Sequence, residues 1–270
     1  LVEENIDPGL ADRVVDLAGL TVLPGIVDLH VHTSSPNGFR MLTRAGVTTA
    51  LDCGGPMDGF LEQLRSQRVA INAAVIQQVK PGSTVSSDDP PLSEFKDVLA
   101  KWIDEGALGL KILGGHYPMT PEATVRAFEA CNADRAYVCY HIGTKKTGAG
   151  TLKSFRETME LIGPNHLHLA HVNSYCRGQV LGDPVAETEE VLRSLKANRR
   201  LHAEVYLSVF SGSPGKCLDG ELESLGPRNS LSMAGYGGTE DEMARAILEG
   251  FAGVVAAVGD DNVVLKGREG

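Results

Sequence analysis

Short apolar runs alternate with amphipathic segments along most of this chain. The first run, Ile26–Val31, is entered through Pro24-Gly25 and leads into His30-x-His32. Successive side chains of a strand point to opposite faces, so Ile26, Asp28, His30 and His32 share one face and Val27, Leu29 and Val31 the other. Further strands are predicted over residues 47–52, 70–79, 108–113, 137–142, 167–172 and 201–207, with a helix in each interval. The clearest helix carries Phe95, Val98, Leu99, Trp102 and Ile103 on one stripe, with Ser93 as N-cap and Gly106 as stop, which makes Trp102 a core residue. Thr120-Pro121 and Asp183-Pro184 read as N-cap and first-turn pairs. Thr239-x-x-Glu242 reads as a capping box opening a helix with Met243, Ile247 and Phe251. Residues 263–265 offer a short final strand.

Regular alternation of this kind predicts the α/β class and a (β/α)8 TIM barrel, with seven clear strand–helix units and an eighth that the pattern leaves open. Two loops are too long to be simple connections. Residues 80–92 hold three prolines and read as a functional loop or lid candidate; residues 208–238 form the second.

Composition narrows the picture. A chain of 270 residues is long enough for one barrel, which needs about 250. The hydrophobic share of 42% and charged share of 22% are ordinary for a globular protein. No apolar run reaches the roughly 18 residues of a membrane span, so no membrane partner is expected. A net charge of −10 with no basic face argues against nucleic acid. Five cysteines without C-x-x-C spacing suit a reducing, cytoplasmic setting better than a disulfide framework. The chain starts at Leu1, and residues 1–24 read as the tail of a small β-domain ahead of a barrel over residues 25–270. It is expected to be incomplete, the barrel being truncated at the C-terminus.

In such a barrel the chemistry sits at the C-terminal ends of the strands. Strand four carries Lys111 in an otherwise apolar run, strand five ends in His141 and strand six in His171, each 30 residues from the last. A lone strand histidine is more often structural, and Lys111 alone could snorkel to the rim. Two imidazoles on one strand above Asp28 are well placed to hold a divalent metal.

Asp16-x-x-Gly19 followed by Pro24-Gly25-x-x-Asp28-x-His30-x-His32 resembles the opening strand of the amidohydrolase superfamily. The order H-x-H, Lys, His, His over successive strands resembles its binuclear members, the group of dihydroorotase, hydantoinase and isoaspartyl dipeptidase. This resemblance implies a metal-dependent hydrolase that cleaves an amide bond with a metal-bridging hydroxide. It implies that His30 and His32 bind one metal, that His141 and His171 bind the other, and that an N-carboxylated Lys111 bridges the two. Zinc is the metal that this ligand chemistry favours. The required partner is a small-molecule substrate, an N-acyl amino acid or a cyclic amide, and the reading leaves room for a homo-oligomer.

Two departures from the family pattern stand out. The family's strand-eight aspartate, a metal ligand and general acid/base, has no match, because Asp260 and Asp261 precede residues 263–265 rather than follow them. Cys53, at the end of strand two, lies about where D-aminoacylases of the same superfamily place a metal-binding cysteine. If Val47 and Leu51 face the helices, Cys53 does too, so Lys111 is preferred as the bridge. Asn173, Tyr175 and Arg177 are the candidate substrate contacts, Arg177 as a partner for a carboxylate, which tilts the reading toward a deacylase. Glu204 and Tyr206, and His116 and Tyr117, are weaker candidates, with a place on the rim as the alternative. Two rival readings remain: a Schiff-base lysine at Lys111 in an aldolase-type barrel, and an inactive barrel kept as a structural protein.

Overall fold

The computed structural model describes residues 7–33, 36–66, 69–206, 212–223, 227–228, 231–232, 235–249, 252–256 and 263–267. Strands and helices alternate as β1 Ile26–Val31, α1 Pro36–Arg44, β2 Val47–Gly54, α2 Met57–Ser66, β3 Asn72–Val79, α3 Leu92–Asp104, β4 Gly109–Leu113, α4 Pro121–Ala133, β5 Tyr137–His141, α5 Leu152–Leu161, β6 Leu167–Leu169, α6 Pro184–Ala197 and β7 Leu201–Ala203. The seven strands form one parallel sheet in sequence order, an incomplete (β/α)8 barrel.

The inner strands β2 to β6 bury most of both faces, as parallel strands between helices and a barrel interior do. Leu110, Ile112 and Tyr140 pack outward on Phe95 and Leu99 of α3 and on Ala127, Phe128 and Cys131 of α4. Leu51, Cys53, Ile76, Cys139 and Ala170 form a separate buried cluster in the interior. Trp102 packs, partly buried, beside Phe39, Met57 and Phe60. At β1, an edge of the sheet whose register with β2 is irregular, Ile26, Val27 and Leu29 are 54%, 57% and 49% exposed, whereas Val31 is buried against Val47 and Ala50.

The proposed final strand does form, at Val263–Gly267, but not in the barrel. It pairs antiparallel with Gly212–Pro214 and with Ala252–Ala256 in a separate three-stranded sheet, so it is not a parallel eighth strand. Asp260, Asp261 and Phe251 lie outside the described residues. Residues 11–25 follow a short 3-10 turn at Pro8–Leu10 without regular structure, and Val14, Leu20, Val22 and Leu23 are exposed.

Helix starts follow the local chemistry with two exceptions. Thr120 Oγ1 accepts from the Ala123 N–H, and Asp183 Oδ1 from the Val185 N–H, as their Pro-containing first turns predict. Ser93, by contrast, lies inside α3, whose N-cap is Pro91. At the last helix, α7 Glu240–Leu248, Thr239 caps the Glu242 N–H, but Glu242 turns to the Gly237 N–H and Arg245 instead of completing the box. The loop at residues 80–92 is tied down, with Asp88 paired to Lys145 and Asp89 to Arg126. Arg126 lies on α4 and Lys145 in the segment after β5, so the loop is anchored to two neighbouring elements.

Candidate metal centre

Parallel register decides which side chains meet. Lys111 of β4 sits beside Gln78 of β3 and Cys139 of β5, and Cys139 beside His168 of β6. Residues paired in this way face the same side of the sheet. Lys111, Cys139 and His168 therefore form one inward layer, and His141, two residues beyond Cys139, stands in the next layer toward the mouth.

The five residues expected to bind metal converge there. Lys111 Nζ lies 3.3 Å from His30 Nε2. The His30 ring centroid is 5.2 Å from that of His32 and 5.5 Å from that of His171, and His141 and His171 are 4.4 Å apart. Lys111 is 1% exposed, and its neighbours at hydrogen-bond distance are an imidazole nitrogen and the Cys139 thiol, 3.2 Å away. Burial, then the Lys111 ammonium, pushes His30 down to about 3. The same causes push His171 down to about 3, and burial holds His141 well below the imidazole range. All three rings are thus neutral and have lone pairs to donate at ordinary pH.

Two features orient these rings. Glu204, just past β7, places Oε1 2.5 Å from His30 Nδ1 and accepts the His171 backbone N–H at 2.7 Å. His171 has φ 35° and ψ 61°, left-handed backbone that is uncommon for a residue with a Cβ. That turn ends the strand short of residue 172 and starts a 3-10 helix, Val172–Tyr175, whose Ser174 Oγ stands 2.9 Å from His171 Nδ1. At the mouth, a Cβ on Gly115 would come within 2.0 Å of His141 Nε2, so only glycine leaves room for that ring. His116, pushed down to about 4 chiefly by burial, stacks edge-on to His141 at 4.8 Å.

The remaining candidates separate. Tyr175 is 1% exposed, and its hydroxyl donates to the Ala170 carbonyl and accepts from the Ile142 N–H. The ring packs in the core with its centroid 6.0 Å from that of His171, which it buttresses. Asn173 Nδ2 donates to the Tyr206 carbonyl, and Arg177 Nη2 lies 3.3 Å from the Tyr206 hydroxyl, so these two keep places at the rim. Tyr117 lies under the Lys80 ammonium, which pairs with Glu223. Cys53 does not face the helices: it is fully buried in the interior cluster with Cys139, and its thiol donates to the Leu29 carbonyl at 3.2 Å. Cys53 and, more weakly, the Lys111 ammonium hold the Cys139 thiol well below the ordinary thiol range against the effect of burial.

Sequence reasoning did not single out Cys139 and offered Glu204 only as a weak candidate, without its tie to His30. Strand alternation could have found Cys139, because it shares parity with His141. Glu204 carried no local signal, since its partner His30 is 174 residues away.

The donor set fits divalent cations. A buried ammonium with no carboxylate among these neighbours is costly, whereas several neutral imidazoles around a lysine able to become an anionic carbamate suit two metal ions.

No known protein-family model matches the chain. A dihydroorotase of Streptococcus thermophilus is 28% identical over 153 residues, 52% of this chain and 35% of that protein. The urease alpha subunit of Haloquadratum walsbyi is 25% identical over 173 residues, 63% of this chain and 29% of that subunit. The matched region thus spans about a third of the length of these curated relatives. Among solved structures, an N-acyl-D-glutamate deacylase from Bordetella bronchiseptica, complexed with zinc and a phosphonate inhibitor, superposes with a TM-score of 0.53 at 15% identity. That match covers 72% of this chain and 49% of the deacylase. A D-aminoacylase studied for its binuclear metal center gives a TM-score of 0.52 at 15% identity over the same shares, 72% and 49%. These two likenesses concern the fold.

Proposed function

We propose that this chain is a member of the amidohydrolase superfamily and forms the core of a metal-dependent hydrolase acting on a carbon–nitrogen bond, a reading supported by its similarity to a dihydroorotase and a urease subunit. The observation that carries this reading is the convergence of His30, His32, Lys111, His141 and His171 at one end of one sheet. In the proposal His30 and His32 hold one ion, His141 and His171 the other, and an N-carboxylated Lys111 bridges them. Zinc is the ion assigned. When bound, the metals supply Lewis acidity toward the scissile carbonyl and a bridging hydroxide near neutral pH.

The chain's own groups do the rest. Glu204 orients the His30 ring so that Nε2 faces inward, and Ser174 does the same for His171. Buried walls exclude bulk water around Lys111 and strengthen each electrostatic contact made there. Arg177 beside Tyr206 at the rim is the assigned partner for a substrate carboxylate, which favours an N-acyl amino acid over a cyclic amide. The five cysteines support a reducing, cytoplasmic setting. The domain division, with residues 1–24 as the tail of a small β-domain and residues 25–270 as the barrel, belongs to the same proposal.

Elemental analysis of the complete gene product after exhaustive dialysis tests the reading. About two divalent ions per chain, with a clear fall in Lys111→Ala, is the expected result. Hydrolysis of N-acyl amino acids in preference to cyclic amides would then fix the substrate side. No bound metal after growth with zinc and added bicarbonate would overturn the mechanism.

A further inference from the structure

The dihydroorotase-type ligand set is nitrogen and carboxylate, and the D-aminoacylase likeness adds a cysteine on strand two only. Yet the floor of this pocket carries two buried sulfurs, one of them on β5. Cys139 on β5 is fully buried, directly beside Lys111 in the parallel register, with its Sγ 3.2 Å from Lys111 Nζ. Cys53 on β2, also fully buried, reaches the same point from another strand. One ligand atom each from His30, Cys53 and Cys139 lies within 4.8 Å of the others. Three strands thus bring two thiols and an imidazole to one place.

A buried free cysteine is usually a small hydrophobe. Here the surroundings differ, because each sulfur adjoins an imidazole or an amine as well as apolar neighbours. We propose that Cys139 and Cys53, together with His30, form a thiolate-bearing metal site in the pocket floor, selective for a thiophilic divalent cation such as zinc or cadmium.

The spacing is compatible with that assignment. Tetrahedral zinc, with Zn–S of about 2.3 Å and Zn–N of about 2.0 Å, spaces its ligand atoms roughly 3.5–3.8 Å apart. The three side chains therefore need only modest rotation to close on an ion. Two sulfurs and one nitrogen discriminate against magnesium, calcium and manganese, which prefer oxygen. Lys111 touches two of the three ligands, so an ammonium there and a cation in the site would repel each other. Filling the site requires Lys111 to lose its charge, as a free amine or as a carbamate.

His30 has one nitrogen to offer, Nε2, because Nδ1 faces Glu204. The thiolates therefore complete the coordination of the ion assigned to His30 rather than hold a third one, and the site rests on the hydrolase reading for its place in the pocket. The test keeps the two apart. Zinc-loaded full-length protein is measured by X-ray absorption at the zinc edge, together with zinc stoichiometry, for wild type, Cys139→Ser and Cys53→Ser. The proposal expects sulfur scatterers at about 2.3 Å beside nitrogen and oxygen at about 2.0–2.1 Å in the wild type. It expects fewer sulfurs in each variant, and zinc binding roughly tenfold or more weaker in Cys139→Ser. Zinc bound at about two per chain with only nitrogen and oxygen scatterers overturns the thiolate site and leaves the hydrolase reading standing. A sulfur shell that survives Cys139→Ser and disappears in Cys53→Ser overturns the role of Cys139. No zinc uptake at all overturns both readings. The wild-type spectrum decides even if a variant does not fold.

Discussion

Glu204 stands against His30, carboxylate Oε1 to ring Nδ1 at 2.5 Å, and the same oxygen receives the backbone N–H of His171. One carboxylate at the end of β7 thus ties together the ends of β1 and β6. A proton on Nδ1 donated to that carboxylate leaves Nε2, the atom facing Lys111, with its lone pair exposed to the pocket.

Removing the charge from Glu204 should therefore weaken metal binding without dismantling the barrel. For Glu204→Gln the expected loss in zinc affinity is about 10–100-fold. Competition against a chromophoric chelator measures it, with far-UV circular dichroism as the control for folding. Unchanged affinity would show that His30 needs no help to hold its orientation.

Gly115→Ala addresses the opposite side of the centre. The added Cβ would sit 2.0 Å from His141 Nε2, well inside any allowed contact, so the ring must swing away. The expected result is loss of one of the two bound ions and a drop in turnover of roughly tenfold or more, because an ångström of misplacement costs that much at a reacting centre. Metal stoichiometry per chain checks it, and retention of both ions would show that His141 is not a ligand.

Acidity should destabilise the metal-free protein in a defined window. His30 and His171 titrate at about 3 and His116 at about 4 when folded, against an ordinary value of 6.5. Between those values the unfolded chain binds more protons than the folded one, so stability rises with pH through the window. Going the other way, it falls as pH drops from about 6.5 toward 3–4. Urea midpoints of the chelator-stripped protein at several pH values measure this, and a flat profile would contradict neutral buried rings.

Glu187 holds the loop after β6 in place. Its carboxylate, 0% exposed, accepts from the N–H groups of Gly178, Val180 and Leu181 at 2.7–2.9 Å. Glu187→Ala leaves those three donors without their partner and should cost on the order of 3 kcal/mol. Equilibrium unfolding in urea reads the loss. A change within about 0.5 kcal/mol would mean that water replaces the carboxylate.

Alternation of apolar runs with helical stripes is a local property, and it is enough to reveal the strand–helix units and the barrel class, whereas the irregular register of β1 against β2 departs from the simple alternation along Ile26–Val31. The even 30-residue interval between Lys111, His141 and His171 is also visible without coordinates, because one strand–helix unit repeats at that length. What alternation cannot supply is the neighbour across the sheet. The face of Cys53 was misjudged because parity separates two faces without saying which is inner, and only pairing with β3 and packing on Cys139 settles that. The strand at Val263–Gly267 was visible as an apolar run, but its partners are Gly212–Pro214 and Ala252–Ala256, and backbone pairing carries no sequence label. Thus the chain's own pattern pointed to the barrel and to the four histidines and one lysine that meet at one end of its sheet. Tertiary structure alone decided that Glu204 orients His30 and that two cysteines lie under Lys111, because register and curvature of the sheet bring distant segments together.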